Sequence, residues 1–260
     1  MAALDYKALA QYTIAGEAEK REITKITAQY PDFSVEDAYK VQEELVKIKL
    51  AEGHRIIGPK MGLTSYPKMK QMNVEEPIYG YIFDYMVSDN GQISVSNHIH
   101  PKVEAEIAFI MGQDLEGPGI TGAQALAATE YVIPALEIID SRYQNFEFTL
   151  PDVIADNASS SGVILGSAMR KPGDLELDLV GVTLSVNGEL KELGAGAAVL
   201  NHPANAIAML ANMLARKGDK VKAGDVILAG AITGAVAFKV GDTISAKLDG
   251  FGEIGFKAVE

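Results

Sequence analysis

The sequence predicts an α+β protein, with a mainly helical N-terminal region over residues 1–70 and a β-rich body over 71–260. Three observations carry that reading. Apolar residues recur at helical spacing up to about residue 55. From there onward, short β-branched and aromatic runs bounded by glycine and asparagine dominate. Two stretches inside the body, one after Thr121 and one over 202–218, return to a helical pattern.

The chain opens with MAALDYKALAQYTIAGEAEKR, where Leu4, Leu9 and Tyr12 stand near helical spacing. A second helix is predicted after Ser34, a good N-cap, with Asp37 three residues on as an imperfect capping-box partner. Val35, Ala38, Val41, Leu45, Ile48 and Leu50 give it an apolar stripe, and Gly53 suits its end. RIIGPKMGLTS, residues 55–65, is apolar and punctuated by glycine; its Lys60 is either a surface residue at a turn or a cation drawn into a site. PIYGYIFDYMV, residues 77–87, has the Tyr, Ile and Phe content of a strand. An Asn90-Gly91 turn follows, and then His98 and His100, whose spacing on a strand fits two structural histidines better than a zinc site.

KVEAEIAFIMG, residues 102–112, reads as a buried strand, with Val103, Ile107, Phe109 and Met111 apolar. It also carries Glu104 and Glu106. Residues two apart on a strand share a face, so the carboxylates lie side by side. Their repulsion, made worse by burial, needs a compensating charge, and a divalent cation that favours oxygen ligands is the simplest one. An isolated Glu-x-Glu is more often a solvated strand face. A third acid in similar company changes the balance: YVIPALEIIDSR, residues 131–142, places Glu137 between Leu136 and Ile138. Three glutamates on two apolar strands make a facial ligand set with positions left open for water or substrate.

Further on, residues 146–166 read as a loop crowded with small polar groups, among them Ser159, Ser160 and Ser161. The loop is either an ordinary surface turn or a set of hydrogen-bond donors for an anionic ligand. Asn187-Gly188 between two alternating runs signals a hairpin. The 202–218 helix has Pro203 near its start and Gly218 at its end, and short strands with Gly-Asp turns close the chain.

Composition narrows the function. With 260 residues, 48% hydrophobic and 22% charged, the chain is an ordinary globular one with room for a large core. A net charge of −12 argues against nucleic acid and anionic membrane surfaces as partners, and it means that an anionic substrate needs a local cation. No cysteine is present, which excludes disulfides, thiolate zinc sites and a cysteine nucleophile. The N-terminal stretch lacks the apolar core of a signal peptide, and the longest apolar run, 226–238, is too short and glycine-rich to span a bilayer. A cytoplasmic location is the expectation.

The segments IGPKMGLTS, PIYGYIFDYM, HPKVEAEIAF, VIPALEIIDSR, ADNASSSGVILG, HPANAIAMLA and GDVILAG resemble the fumarylacetoacetate hydrolase superfamily over nearly the whole chain, in its hydratase and decarboxylase branch. The resemblance implies a body built as a mixed, distorted β-barrel, Mg²⁺ or Mn²⁺ held by Glu104, Glu106 and Glu137, and an active-site lysine at Lys60. It also implies a role in the meta-cleavage degradation of aromatic compounds, a homo-oligomer, and an association with the hydratase of the pathway. Hydratases of the branch carry an acid between the proline and the aromatic-glycine pair. Here the motif is Pro77-Ile78-Tyr79-Gly80, and an isoleucine can neither position nor deprotonate water. The expected reaction is therefore decarboxylation of 2-oxohex-3-enedioate (4-oxalocrotonate), a small 2-oxo-acid dianion, with hydration of 2-hydroxypenta-2,4-dienoate and a non-catalytic 2-oxo-acid-binding subunit as alternatives. Carbon-carbon bond hydrolysis is disfavoured, because it needs a base for water and the histidine that the hydrolases place shortly after an acidic strand residue is absent from IFDYMVSDNGQ. Lys60 is the expected catalytic cation and Arg142 a second one, while Ser159, Ser160 and Ser161 are expected to donate to a substrate carboxylate.

Overall fold

The computed structural model describes residues 4–71, 73–88 and 91–260. In chain order it runs α1 (Tyr6–Glu19), α2 (Ile26–Gln29), α3 (Val35–Ala51), β1 (Ile56–Gly62), α4 (Tyr66–Gln71), β2 (Ile78–Phe83) and β3 (Gln92–Ser94). There follow β4 (Lys102–Met111), α5 (Gly122–Ala128), β5 (Thr129–Ile139), α6 (Leu150–Ala155), β6 (Ser160–Leu165), and the β7 (Gly181–Val186) and β8 (Glu189–Ala195) pair. The chain ends with α7 (Pro203–Ala215), β9 (Val226–Leu228), β10 (Val236–Ala237), β11 (Thr243–Leu248) and β12 (Gly252–Val259).

The strands form two mixed sheets. The larger has the order β2-β1-β9-β4-β5-β6, with β10 on β4; the smaller has the order β3-β12-β11-β7-β8. Most pairs are antiparallel, but β1 runs parallel to β9 and β3 parallel to β12. The large sheet curls until its ends meet: Val87, just past β2, bridges Val163 on β6, and Ser88 N donates to Val163 O at 2.9 Å. This is the expected mixed, distorted barrel. Strand β1 lies within residues 1–70 yet pairs into the large sheet, so the uninterrupted run of helices, α1–α3, ends at Ala51 and α4 follows the first strand.

Local chemistry explains the elements. At the start of α3, Ser34 Oγ accepts from Asp37 N at 3.1 Å and Asp37 Oδ2 accepts from Ser34 N at 3.2 Å, so the aspartate closes the capping box after all. Gln42 on α3 is buried, and its amide donates to Tyr79 O and Ile154 O, tying the helical region to β2 and α6. Asn187 and Gly188 have φ of 54° and 78°, as a tight turn between β7 and β8 requires.

The loop expected over 146–166 is a helix followed by a strand instead, α6 and β6. Thr149 and Asp152 form a capping box that starts α6, with Asp152 Oδ2 accepting from Thr149 N at 2.9 Å. The serine-rich stretch that follows masked this signal. His98 and His100 follow a short turn rather than standing on a strand. His98 Nδ1 lies 2.8 Å from Ser94 O and His100 Nε2 lies 2.9 Å from Glu22. The Asn90 half of the Asn90-Gly91 turn lies outside the described residues.

Candidate metal centre

Strand register assembles the acids. The β4–β5 ladder sets Glu104 directly opposite Glu137, and Glu106 follows Glu104 on the same face. One carboxylate oxygen from each of the three lies within 4.8 Å of the others. Glu106 and Glu137 are fully buried and Glu104 is 8% exposed. Glu106 Oε2 accepts from Gly230 N at 2.8 Å. Gly230 has φ of +114°, and a side chain there would collide with Thr64, so this turn of GDVILAG needs its glycine.

Lys60 reaches the acids from β1. It is buried, its Nζ donates to Ala158 O at 3.1 Å, and it stands 2.7 Å from Glu137 Oε1. That last approach is an ion pair by distance but lies off the direction of a hydrogen bond. Glu106 Oε1 and both Glu137 oxygens thus have no hydrogen-bond donor among the described residues. Burial pushes the Glu137 carboxyl up to about 7, with the Glu104 charge adding and Lys60 opposing. Burial and the Glu137 charge raise Glu106 well above the ordinary carboxylate range. For Lys60, burial works against the ammonium, but Glu137, Glu106 and Glu104 outweigh it and the lysine stays charged.

Three buried carboxylates, two of them with orphaned oxygens, beside a single buried cation among the described residues form a donor set that fits a hard divalent ion. Glu104 and Lys60 open onto a cavity of about 210 Å³. Its walls include Met61, Ile78, Phe146, Phe148 and Val153, with Lys68 from α4 at 3.4 Å from Glu104 Oε1. Ile78 is therefore an apolar wall residue of the cavity.

The other expected site residues separate. Ser159 lines the cavity, buried, and its Oγ has no partner among the described residues. Ser160 directs its Oγ to Met86 Sδ at 3.6 Å. Ser161 borders a different cavity, beside Glu17, Lys49 and Tyr85. Arg142 does not line the acidic cavity; its side chain is spent on Asp156 and Ser160 O. Lys68, Phe146, Phe148 and the Gly230 amide are site components that the sequence reading missed. A lysine on a short helix and two phenylalanines in a loop carry no signal until the fold brings them to the cavity.

A model of the fumarylacetoacetate (FAA) hydrolase C-terminal family matches residues 60–258. The chain belongs to the fumarylacetoacetate hydrolase C-terminal family. Over 244 residues it is 50% identical to 4-oxalocrotonate decarboxylase of Pseudomonas sp. (strain CF600), covering 94% of this chain and 92% of that one. Over 258 residues it is 40% identical to 2-oxo-hept-4-ene-1,7-dioate hydratase of Escherichia coli, covering 96% and 97% of the two chains. The fold matches the structure of 4-oxalocrotonate decarboxylase from Pseudomonas putida G7 complexed with magnesium and adipate. The TM-score is 0.96 at 45% identity, covering 98% of this chain and 97% of that one. All three glutamates, Lys60, Lys68 and the cavity walls fall inside the segment matched by the family model.

Proposed function

We propose that this chain is a carboxy-lyase that converts 2-oxohex-3-enedioate to 2-hydroxypenta-2,4-dienoate and CO₂ in aromatic meta-cleavage degradation. One observation carries the reading: a buried, unbalanced set of three carboxylates and Lys60 opens through Glu104 and Lys60 onto a cavity walled in part by Ile78, the position at which the family resemblance puts an acid in hydratases. The decarboxylase relatives, and a structure of one of them holding magnesium and the six-carbon dianion adipate, support it.

Glu104, Glu106 and Glu137 would hold Mg²⁺ or Mn²⁺, which when bound supplies the Lewis acidity that draws electrons from the breaking C–C bond toward the 2-oxo oxygen. Gly230 N fixes the orientation of Glu106 for that task. Lys60 is the catalytic cation: Ala158 O and Glu137 keep it charged and pointed at the cavity, where its Nζ stabilises the developing enolate oxygen and can return a proton. Three acids, a divalent ion and a dianion remain net negative, and Lys60 and the partly exposed Lys68 offset part of that excess. Ser159 Oγ, buried and without a partner, is the donor for a substrate carboxylate. Ile78, Met61, Val153 and the two phenylalanines keep water from the dienolate, so the product leaves unhydrated.

Release of CO₂ from 2-oxohex-3-enedioate, measured before and after chelation and again after Mg²⁺ is restored, tests the proposal. Conversion of 2-hydroxypenta-2,4-dienoate to 4-hydroxy-2-oxopentanoate would make the chain the hydratase. Binding of substrate and metal without CO₂ release would make it a partner subunit. No helix among the described residues is long and apolar enough to cross a membrane. A cytoplasmic location, a homo-oligomer and an association with the hydratase belong to this proposal, and sizing the chain alone and with hydratase tests the last two.

A further inference from the structure

Residues 156–160 form a turn that L-amino acids adopt poorly. Asn157, Ala158 and Ser159 have φ of 50°, 52° and 56°, in the left-handed region where Cβ crowds the following carbonyl. Three consecutive non-glycine residues persist there only when their surroundings impose it. What the turn presents gives it importance: Ala158 O accepts from Lys60 Nζ at 3.1 Å, and Ser159 lines the cavity.

Two fastenings impose the turn. On one side Asn157 brackets Tyr81: Tyr81 N donates to Asn157 Oδ1 at 2.8 Å and Asn157 Nδ2 donates to Tyr81 O at 2.9 Å. Gly80 permits the approach, since a Cβ there would sit 2.5 Å from Asn157 O. On the other side stands Arg142. Its Nε donates to Asp156 Oδ1 at 2.5 Å and its backbone N to Asp156 Oδ2 at 3.1 Å. Its Nη2 donates to Asp156 O at 2.6 Å and its Nη1 to Ser160 O at 3.1 Å. The guanidinium thus grips the turn at its first and last residues, and both members of the ion pair are buried.

We propose that Arg142 is a positioning residue for Lys60: by holding Asp156 and Ser160 it fixes the left-handed turn whose Ala158 carbonyl aims the Lys60 ammonium at the cavity. The role assigned to Lys60 rests on the decarboxylase reading; the clamp itself rests on geometry. A planar fork is needed, because no ammonium can reach an aspartate and two carbonyls spread over five residues. The alternative role for Arg142, a charge that attracts the dianion, would be filled equally well by lysine.

The test compares Arg142→Lys, Arg142→Met and the double variant Arg142→Met/Asp156→Asn in the full chain. The double variant leaves no unpaired buried charge and serves if the single methionine variant does not fold. Four quantities are read: kcat and KM with Mg²⁺, Mn²⁺ affinity, and the rate at which acetic anhydride labels Lys60 in metal-free protein. In every folded variant kcat falls at least tenfold, while KM and Mn²⁺ affinity stay within about threefold. Lys60 labelling rises at least fivefold, and lysine does no better than methionine. A KM rise in Arg142→Met that Arg142→Lys restores would overturn the clamp in favour of direct attraction. Mn²⁺ affinity lost in step with kcat would reduce Arg142 to a general structural role. Wild-type kcat and labelling in the double variant would also overturn the proposal. If the wild-type chain hydrates rather than decarboxylates, the decarboxylase reading fails and the same ratios are read on hydration. If it does neither, the labelling rate alone decides.

Discussion

The molecule buries two ionic clusters near β5, and they differ in one respect. Arg142 and Asp156 match charge with charge, and every side-chain nitrogen of the arginine has an acceptor; Glu17 and Lys49 pair nearby at 2.9 Å. Among the described residues, Glu104, Glu106 and Glu137 face only one buried cation and leave three carboxylate oxygens without donors. Both clusters carry strongly perturbed groups: burial lifts Asp156 to about 7 just as it does Glu137. Perturbation by burial is therefore common to a structural cluster and a functional one. The difference lies in satisfaction. The first cluster is complete as folded, whereas the second lacks positive charge at a fixed place and so stores binding energy for a ligand that brings it.

Removing one acid from each cluster should give opposite signs, with the largest effect in turnover. Glu106→Gln is expected to lower CO₂ release by about 10³-fold or more, to lose Mn²⁺ binding by calorimetry, and to raise the metal-free melting temperature at alkaline pH, where the raised Glu106 carboxyl ionises and repels Glu137. Asp156→Ala is expected to destabilise the protein by about 3–5 kcal/mol, because it strands the Arg142 guanidinium. Equal signs in thermal melts would erase the distinction between the clusters.

Lys60→Met ranks next. The lysine is the only buried cation on the acidic cluster among the described residues, so turnover should fall about 10²- to 10⁴-fold. Mn²⁺ binding should persist, since the three carboxylates remain. Unchanged turnover would remove Lys60 from the chemistry, and lost Mn²⁺ binding would make it a support of the metal site instead.

The clusters also set a pH dependence. Burial raises the Glu137 pKa from 4.5 to about 7, so the folded chain binds its proton more tightly than the unfolded chain does. The stability this contributes is fully present below pH 4.5 and is lost as pH rises through about 7. By linkage this group alone is worth about 3 kcal/mol in metal-free protein. Asp156, raised to about 7, and Glu106, raised well above the ordinary range, act with the same sign, while groups whose pKa is lowered, such as Asp37 and Asp114, titrate below this window. Metal needs the deprotonated acids, so added Mg²⁺ should stabilise the chain more as pH rises from 5 to 8. Melts at fixed ionic strength that stay flat over that range without metal would contradict the assigned burial.

How much of this the sequence discloses depends on the range of the interaction. Glu104, Glu106 and Glu137 are legible because each sits inside an apolar strand run, where a carboxylate is conspicuous, and the capped helices and the Asn187-Gly188 hairpin rest on neighbours three residues apart or fewer. Helix α6 was hidden because the serines after it look like a loop, although Thr149 and Asp152 carry the cap. The roles of Arg142, Gly80 and Gly230 are illegible locally. Each depends on a partner that only the fold supplies: Ser160 and Asp156 for the arginine, Asn157 for Gly80, and Thr64 and Glu106 for Gly230. Arg142 is expected at the substrate from charge counting, because three acids, a divalent ion and a dianion call for a further cation. It stands instead at the complete cluster, where it grips Asp156 and Ser160 O.

Lys68 offers the finest test of the comparison, because it touches the incomplete cluster from solvent. Its Nζ is 3.4 Å from Glu104 Oε1, beyond a short ion pair, and its side chain is 45% exposed. Partly exposed pairs contribute little, and salt screens them. Lys68→Met should therefore raise KM for the dianion by about threefold and leave kcat within twofold. Raising NaCl from about 0.05 M to 0.5 M should shrink the difference, as the Debye length falls to about 4 Å and the partly exposed lysine is screened. A salt-resistant increase above tenfold would mean that Lys68 leaves Glu104 and enters the cavity when substrate binds. It would then act as a second buried cation, and the acidic cluster would be completed by the protein as well as by the metal.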